Sequence, residues 1–290
     1  MTEEQERPDS SVEVVPYREE WLDVAEKEIW VDAALASLRA DGPTTSPVYD
    51  RIGAGYAGQR VPEPTWAALI TAALGDASSV LNVGAGTGNY EPPDLLVTAL
   101  EPSSTMLAQR SRVHPMVQGE AERLPFVDDQ FDAALAIFTV HHWVDRTRGL
   151  KELRRVSRRQ VLVVYEPLAA HRFWLVDYFP EIPMATTEAN GPTPADLAKH
   201  LDIVHVQTMW IPADCSDGVA AAYWRRPEAY LDTTVQRSMS ILALLPDDVV
   251  ARGAARLAQD LDDGTWFARN GHLLHQDKAD YGYRLVVAKS

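Results

Sequence analysis

Residues 80–91, VLNVGAGTGNYE, run a short apolar segment straight into three glycines at alternate positions, Gly84, Gly86 and Gly88. An apolar run of this length reads as a strand covered on both faces. Glycines directly after it permit positive φ and a close approach of backbone to a ligand. In open parallel sheets ligands bind outside the carboxyl ends of the strands, so this turn marks where chemistry is to be sought. The spacing is G-x-G-x-G. The dinucleotide fingerprint is G-x-G-x-x-G, and Asn89 stands where its third glycine belongs. No Lys-Ser/Thr pair follows, which removes a phosphate-binding P-loop.

The flanking sequence alternates strand-like and helical patterns, as βαβ units do. Helices are expected at Pro64–Leu74, Thr105–Val113 and Arg146–Ser157. Strands are expected at Leu95–Leu100, Met116–Gln118, Phe131–Val140 and Gln160–Tyr165. The second half is less regular, with helices expected near Pro194–Leu201, Gly218–Leu231 and Pro246–Leu261 and strands at Ile203–Ile211 and Tyr281–Ala288. Before all this, residues 17–40 carry Trp21, Ala25, Ile29, Ala33 and Leu38 near helical spacing, and Gly42, Pro43 and Pro47 end the pattern. The chain therefore divides into residues 1–45, a tail and helix acting as a lid or an oligomerisation element, and residues 46–290. The larger part has a cap insertion at about 168–200 and further helices at about 217–262.

Composition narrows the class of function. With 46% hydrophobic and 24% charged residues the chain is an ordinary globular protein. Its net charge of −15 opposes binding to the phosphates of nucleic acid. The single cysteine, Cys215, excludes a disulfide scaffold and a cysteine-cluster metal site. No apolar stretch approaches the roughly 18 residues that span a bilayer, and the opening MTEEQERPDSS is unlike a secretory leader, so a cytoplasmic, membrane-free protein is expected. His272 and His275 have no acid beside them to complete a metal site, and no metal is expected.

Glu101 ends the second strand, seventeen residues beyond Gly84, where a carboxylate can accept hydrogen bonds from both hydroxyls of a ribose. Taken together, GAGTG (84–88), LEPS (100–103), GEAERLPF (119–126) and the HH of 141–142 resemble the class I S-adenosylmethionine-dependent methyltransferases. The branch is the one similar to ubiquinone- and menaquinone-biosynthesis enzymes, also called methyltransferase type 11. The resemblance is strong over Tyr49–Pro167, looser to the C-terminus and absent from the first forty-odd residues. It implies a Rossmann-like, doubly wound α/β sheet of seven strands, the last antiparallel, with a helical cap and an N-terminal helical extension. It also implies S-adenosyl-L-methionine as cofactor. Gly84, Ala85, Gly86 and Gly88 would pack against its methionine part and Glu101 would hold the ribose. Pro102 and Ser103 would lie beside the adenine, and Glu120 and Ala121 near its amino group. Phe138 and Thr139 would border the methionine moiety, and Tyr49 and Tyr56 would close over the cofactor. One departure stands out: Asn82 occupies a position where the family often carries an acid.

Methyl transfer needs an aligned nucleophile and, for oxygen or carbon acceptors, a base. His142 is the first candidate, followed by His141 and Glu166. His171, Phe173, Trp174, Tyr178, Phe179, Tyr223, Trp224 and Tyr230 either line an acceptor pocket or pack the cap onto the sheet. Arg172, Arg225 and Arg226 either meet an anionic acceptor or pair with surface carboxylates. The expected function is O- or C-methylation of an aromatic or prenyl-like small molecule. The alternatives are a non-methylating cyclase or decarboxylase of the same fold, a regulatory module that binds the cofactor, and more remotely a nicotinamide oxidoreductase. A homo-oligomer built through residues 1–45 is expected, which light scattering with and without residues 1–42 decides.

Overall fold

A computed structural model describes residues 60–110, 114–185 and 191–290. The expected N-terminal helix, with Tyr49 and Tyr56, lies outside the described residues. Nine strands occur in these residues, β1 (Ser79–Val83), β2 (Leu96–Glu101), β3 (Met116–Gln118), β4 (Phe131–Ile137), β5 (Ser157–Tyr165), β6 (Asp202–Thr208), β7 (Ile211–Pro212), β8 (Lys278–Ala279) and β9 (Tyr283–Lys289). Seven form one sheet in the order β3-β2-β1-β4-β5-β9-β6. Strands β1 to β5 pair in parallel, and β9 runs antiparallel to both of its neighbours, β5 and β6. The expected α/β fold with an antiparallel last strand is what the chain adopts, and β9 lies inside the sheet rather than at its edge.

The sheet's hydrophobic patterning follows from being covered on both faces. Along β5, Val161 and Val163 point into one core and Leu162 and Val164 into another, as the two-residue period of a strand requires. On the first face lies α1 (Pro64–Leu74), which buries Trp66, Ile70 and Leu74 at successive turns. Glu63 caps its amino end by accepting from the Thr65 N–H, and Gly75 at φ 67° ends it. The second face receives α3 (Arg146–Val156), whose Leu150, Leu153 and Val156 are buried and whose N-cap is Asp145. Between them in sequence, α2 (Ser104–Ala108) is shorter than the expected Thr105–Val113.

Strand order places the crevice of this sheet. From β1 the chain proceeds outward to β2 and β3, then returns to place β4 on the other side of β1. Crossover connections therefore leave β1 and β4 in opposite directions and open a crevice at their carboxyl ends. The glycine turn follows β1 and the segment Phe138–His142 follows β4, so both lie at that crevice.

Three further sequence expectations need correction. Residues 218–231 form turns and a short 3₁₀ segment, Pro227–Leu231, instead of a continuous helix. Pro227 cannot donate to a helix ladder, and Trp224 and Tyr230 are drawn into the core from irregular backbone. The expected strand Ile203–Ile211 is divided, because Ile211–Pro212 leaves the main sheet to pair with Lys278–Ala279. The helix expected at Pro194–Leu201 closes after Leu197.

The last long helix, α4 (Asp247–Asp262), packs through Gly253, where an added Cβ would stand 2.4 Å from Phe179 and 2.8 Å from the Tyr178 carbonyl. Gly253→Ala is therefore expected to lower unfolding stability by about 1–3 kcal/mol. Gly271→Ala, with open space around it, should stay within about 0.5 kcal/mol of the parent. Equal values in urea denaturation would contradict this account of the packing.

Candidate active site

The glycine turn is shaped from three sides. Gly84, Gly86 and Gly88 take φ values of 68°, 51° and 90°, a region that side chains disfavour. At Gly84 space forbids a side chain as well, since a Cβ would lie 1.9 Å from Thr139 Oγ1. Strand β1 therefore needs glycine at this position because the end of β4 crosses directly against it. The Gly84 and Ala85 amides both donate to the Leu100 carbonyl, at 2.8 and 3.1 Å, which ties the turn to the end of β2.

Glu101 follows Leu100 and is buried, 5% exposed. Its two carboxylate oxygens accept from different elements, Oε2 from the Gly86 N–H at 2.8 Å and Oε1 from the Ser103 N–H at 2.9 Å. Ser103 then caps α2 by accepting from the Met106 amide at 3.2 Å. The Pro102 carbonyl accepts from Gln118 on β3 at 3.1 Å. Farther along, Glu120 is exposed and Ala121 buried, at the turn that follows β3.

Two buried polar groupings were not apparent in the sequence. Glu91 and Arg110 form an ion pair at 2.6 Å between side chains only 6% and 2% exposed. Arg110 Nη1 also donates to the Ala85 and Gly86 carbonyls at 3.2 and 3.1 Å, and Asn82 Nδ2 donates to Glu91 Oε1 at 2.8 Å. The second grouping centres on Asp217, which is fully buried. It pairs with Arg60 and accepts from the Tyr90 hydroxyl at 2.6 Å. The same Tyr90 hydroxyl accepts from the Glu63 N–H at 3.2 Å. Burial and the Asp217 charge push the Tyr90 hydroxyl far above its ordinary range, so it is a fixed donor. Nearby, burial pushes the Cys215 thiol up to about 12, which removes it as a nucleophile. Partners 19 and 157 residues apart leave no local signal in a sequence.

After β4 the backbone makes a sharp turn. Phe138 takes φ 52°, an uncommon conformation for an aromatic residue, while its amide donates to the Val163 carbonyl at 3.0 Å. Its ring packs with Trp66 and Tyr283, at centroid distances of 6.0 and 5.5 Å. Thr139 is buried and its hydroxyl accepts from Trp143 Nε1 at 3.3 Å. His141 and His142 sit in the single 3₁₀ turn Val140–His142 with ring centroids 4.0 Å apart. Burial, then the His142 ring and the Arg146 guanidinium, hold the His141 imidazole well below its ordinary value of 6.5, so it is neutral and weakly basic. Glu166 forms an ion pair with Arg284 at 2.8 Å.

Most of the aromatic residues beyond β5 are core. Phe173, Trp174, Tyr178, Phe179, Trp224 and Tyr230 are all buried. Their polar atoms are used internally: Trp174 Nε1 donates to the Trp224 carbonyl at 2.8 Å and the Tyr230 hydroxyl to the Ala220 carbonyl at 2.8 Å. Tyr223 remains half-buried and His171 is exposed. Arg225 and Arg226 donate to main-chain carbonyls, of Gln276 at 2.8 Å and of Cys215 at 2.9 Å, where an anionic acceptor or surface carboxylates were expected. Arg172 is exposed. His272 and His275 are exposed, and among the described residues no group of three metal-ligating side chains occurs.

Comparison with known proteins adds the following. Residues 81–165 match the family described as a methyltransferase domain. The chain is 37% identical over 99 residues to a demethylmenaquinone methyltransferase of Thermotoga maritima, covering 31% of this chain and 43% of that relative. It is 29% identical over 116 residues to a chloroplastic 2-methyl-6-phytyl-1,4-hydroquinone methyltransferase of Spinacia oleracea, 36% of this chain and 33% of that one. The chain thus matches less than half the length of these curated relatives. A crystal structure from Anabaena variabilis, named for a methyltransferase of an antibiotic biosynthesis pathway, aligns with a TM-score of 0.73. It is 31% identical, over 80% of this chain and 99% of that one.

The His141 imidazole has a consequence for stability. Its pKa is about 6.5 when unfolded and well lower when folded, so below pH 6.5 the unfolded chain binds the extra proton. Stability contributed by the neutral ring is present above pH 6.5 and is lost as pH falls. In urea titrations between pH 6.5 and 5.5, His141→Asn should flatten the decline by up to about 1.4 kcal/mol per pH unit. An unchanged slope would contradict the buried neutral state.

Proposed function

We propose that this chain, which belongs to the class I S-adenosylmethionine-dependent methyltransferases in the branch similar to quinone-biosynthesis enzymes, transfers a methyl group from S-adenosyl-L-methionine to a small-molecule acceptor. The observation that carries this reading is the turn after β1. Its three glycines have positive φ, a Cβ at the first would strike Thr139, and it is tied to a buried acid at the end of β2. Such a turn presents bare backbone at the sheet's switch point, which suits a close-fitting nucleoside ligand.

The residues present fit the cofactor. Gly84, Ala85, Gly86 and Gly88 would face its methionine part, with Phe138 and Thr139 across from them. Glu101, held at the end of β2 beside the turn, would take the ribose hydroxyls. Pro102, Ser103, Glu120 and Ala121 would border the adenine. When bound, the cofactor supplies an electrophilic methyl on a sulfonium. The protein's part is to align the acceptor and exclude water. His142, whose amide donates to the Thr139 carbonyl at 2.8 Å, is the base that takes the acceptor's proton. His141, held neutral and weakly basic, packs its ring against His142. Glu166, engaged by Arg284, orients that arginine.

The acceptor is best taken as an aromatic or prenyl-like metabolite attacked at oxygen or carbon. The names of the curated relatives support this class, as do the half-buried rings of Phe138, Tyr165 and Tyr223. No helix among the described residues is long and apolar enough to cross a membrane.

In thermal unfolding, S-adenosylmethionine and S-adenosylhomocysteine at about a hundred times Kd should each add roughly 2.7 kcal/mol, and NAD should add nothing. Incubation with quinol acceptors should give products 14 mass units heavier. His142→Ala should lower kcat at least about a hundredfold with cofactor affinity nearly intact. Stabilisation without any mass gain would favour a non-methylating role, and undiminished turnover would remove His142 from the mechanism.

A further inference from the structure

Asn82 lies on β1 two residues before Gly84, is 4% exposed, and donates to Glu91 Oε1 at 2.8 Å. Its Oδ1 is buried with no hydrogen-bond partner among the described residues. Glu91 receives Arg110 Nη2 on both oxygens, at 2.7 and 2.6 Å. The turn wraps closely around this pair, since a Cβ on Gly88 would stand 2.9 Å from Glu91 Oε2 and 3.0 Å from Arg110 Nη1.

One peptide unit connects this cluster to the ligand face. The Ala85 carbonyl accepts from Arg110, and the Gly86 N–H of the same peptide donates to Glu101. A peptide is planar, so holding its C=O from one side and its N–H from the other fixes its rotation. Glu101 is thereby aligned by a guanidinium it does not touch.

We propose that Asn82, Glu91 and Arg110 are positioning residues that set the Ala85–Gly86 peptide, and that position 82 must be an amide because Glu91 already supplies the carboxylate that Arg110 neutralises. This rests on reading the turn as the cofactor site. Comparison with the family pattern alone suggests that restoring an acid at position 82 would help binding. The geometry says the reverse. A carboxylate introduced by Asn82→Asp would meet Glu91 within hydrogen-bonding distance, and two buried carboxylates would then compete for one guanidinium. Like charges so placed cannot both ionise without repulsion.

The test is a cycle of Asn82→Asp, Glu91→Gln and the double variant. Exchanging amide and carboxylate in the double variant keeps the net charge of the native cluster. S-adenosylhomocysteine binding by titration calorimetry should weaken by about tenfold or more in each single variant and return to within about threefold of the parent in the double variant. A merely structural contribution would make the losses multiply, and rescue is the readout it does not give. Unchanged or tighter binding by Asn82→Asp, or a double variant that combines both losses, would overturn the proposal. Should the parent bind neither S-adenosylmethionine nor its product, the cofactor reading fails instead. The same cycle in urea denaturation without ligand then decides the pairing: recovery in the double variant supports it and additivity overturns it. Where Asn82→Asp does not fold, folding of the double variant answers the same question.

Discussion

A buried carboxylate is destabilising unless its oxygens are hydrogen-bonded, and Glu101 meets that requirement by holding two separate turns at once. Its Oε2 accepts from the glycine turn after β1 and its Oε1 from Ser103 at the start of α2. Because β1 and β2 are adjacent parallel strands, these turns emerge side by side, and the carboxylate fixes their separation. The shape of the crevice follows from this one contact. Gly86 presents its amide inward, Ser103 is placed to cap α2, and Thr139 presses on Gly84 from the far side. Charge then balances outward in layers: Glu101 is satisfied by amides, and behind the turn Glu91 is satisfied by Arg110.

The rest of the fold serves to make that crevice rigid. Strand β4 enters beside β1 with Ala133, Ala134 and Leu135 fully buried, and ends in the strained turn at Phe138. A non-glycine residue at positive φ persists only where surrounding packing dictates it. Here Trp66 and Tyr283 hold the ring while the amide bonds to β5. The segments after β5 contribute mass more than lining: their largest rings join the core beside α1, and Asp217 binds them to Arg60 and Tyr90.

Much of this was legible because parallel sheets write a plain code. β1, β4 and β5 appear as mainly apolar runs, and α1 and α3 as three-to-four-residue periodicities with caps. The glycine turn was readable because positive φ restricts residue choice. Glu101 was readable because it ends the strand beside that turn. What was not legible depends on distance in the chain. The expectation of a helix at 218–231 failed because Trp224 and Tyr230 are buried by tertiary packing around Pro227, which outweighs local propensity. Arg110 resembles an ordinary exposed arginine until the fold places it under Ala85 and Gly86. Asn82 stood out only as a departure from the family's usual acid, whereas its partner is Glu91. The division of the aromatic residues between core and pocket likewise became visible only with their burial.

In the proposed function Glu101 both organises the turn and receives the ribose of S-adenosylmethionine. Titration calorimetry of S-adenosylhomocysteine against the parent and Glu101→Gln tests it directly. The account predicts a stoichiometry near one for the parent and a loss of at least about twentyfold in affinity for the variant, beyond the change expected for one neutral hydrogen bond. Equal affinity in the two proteins, both folded, would contradict it.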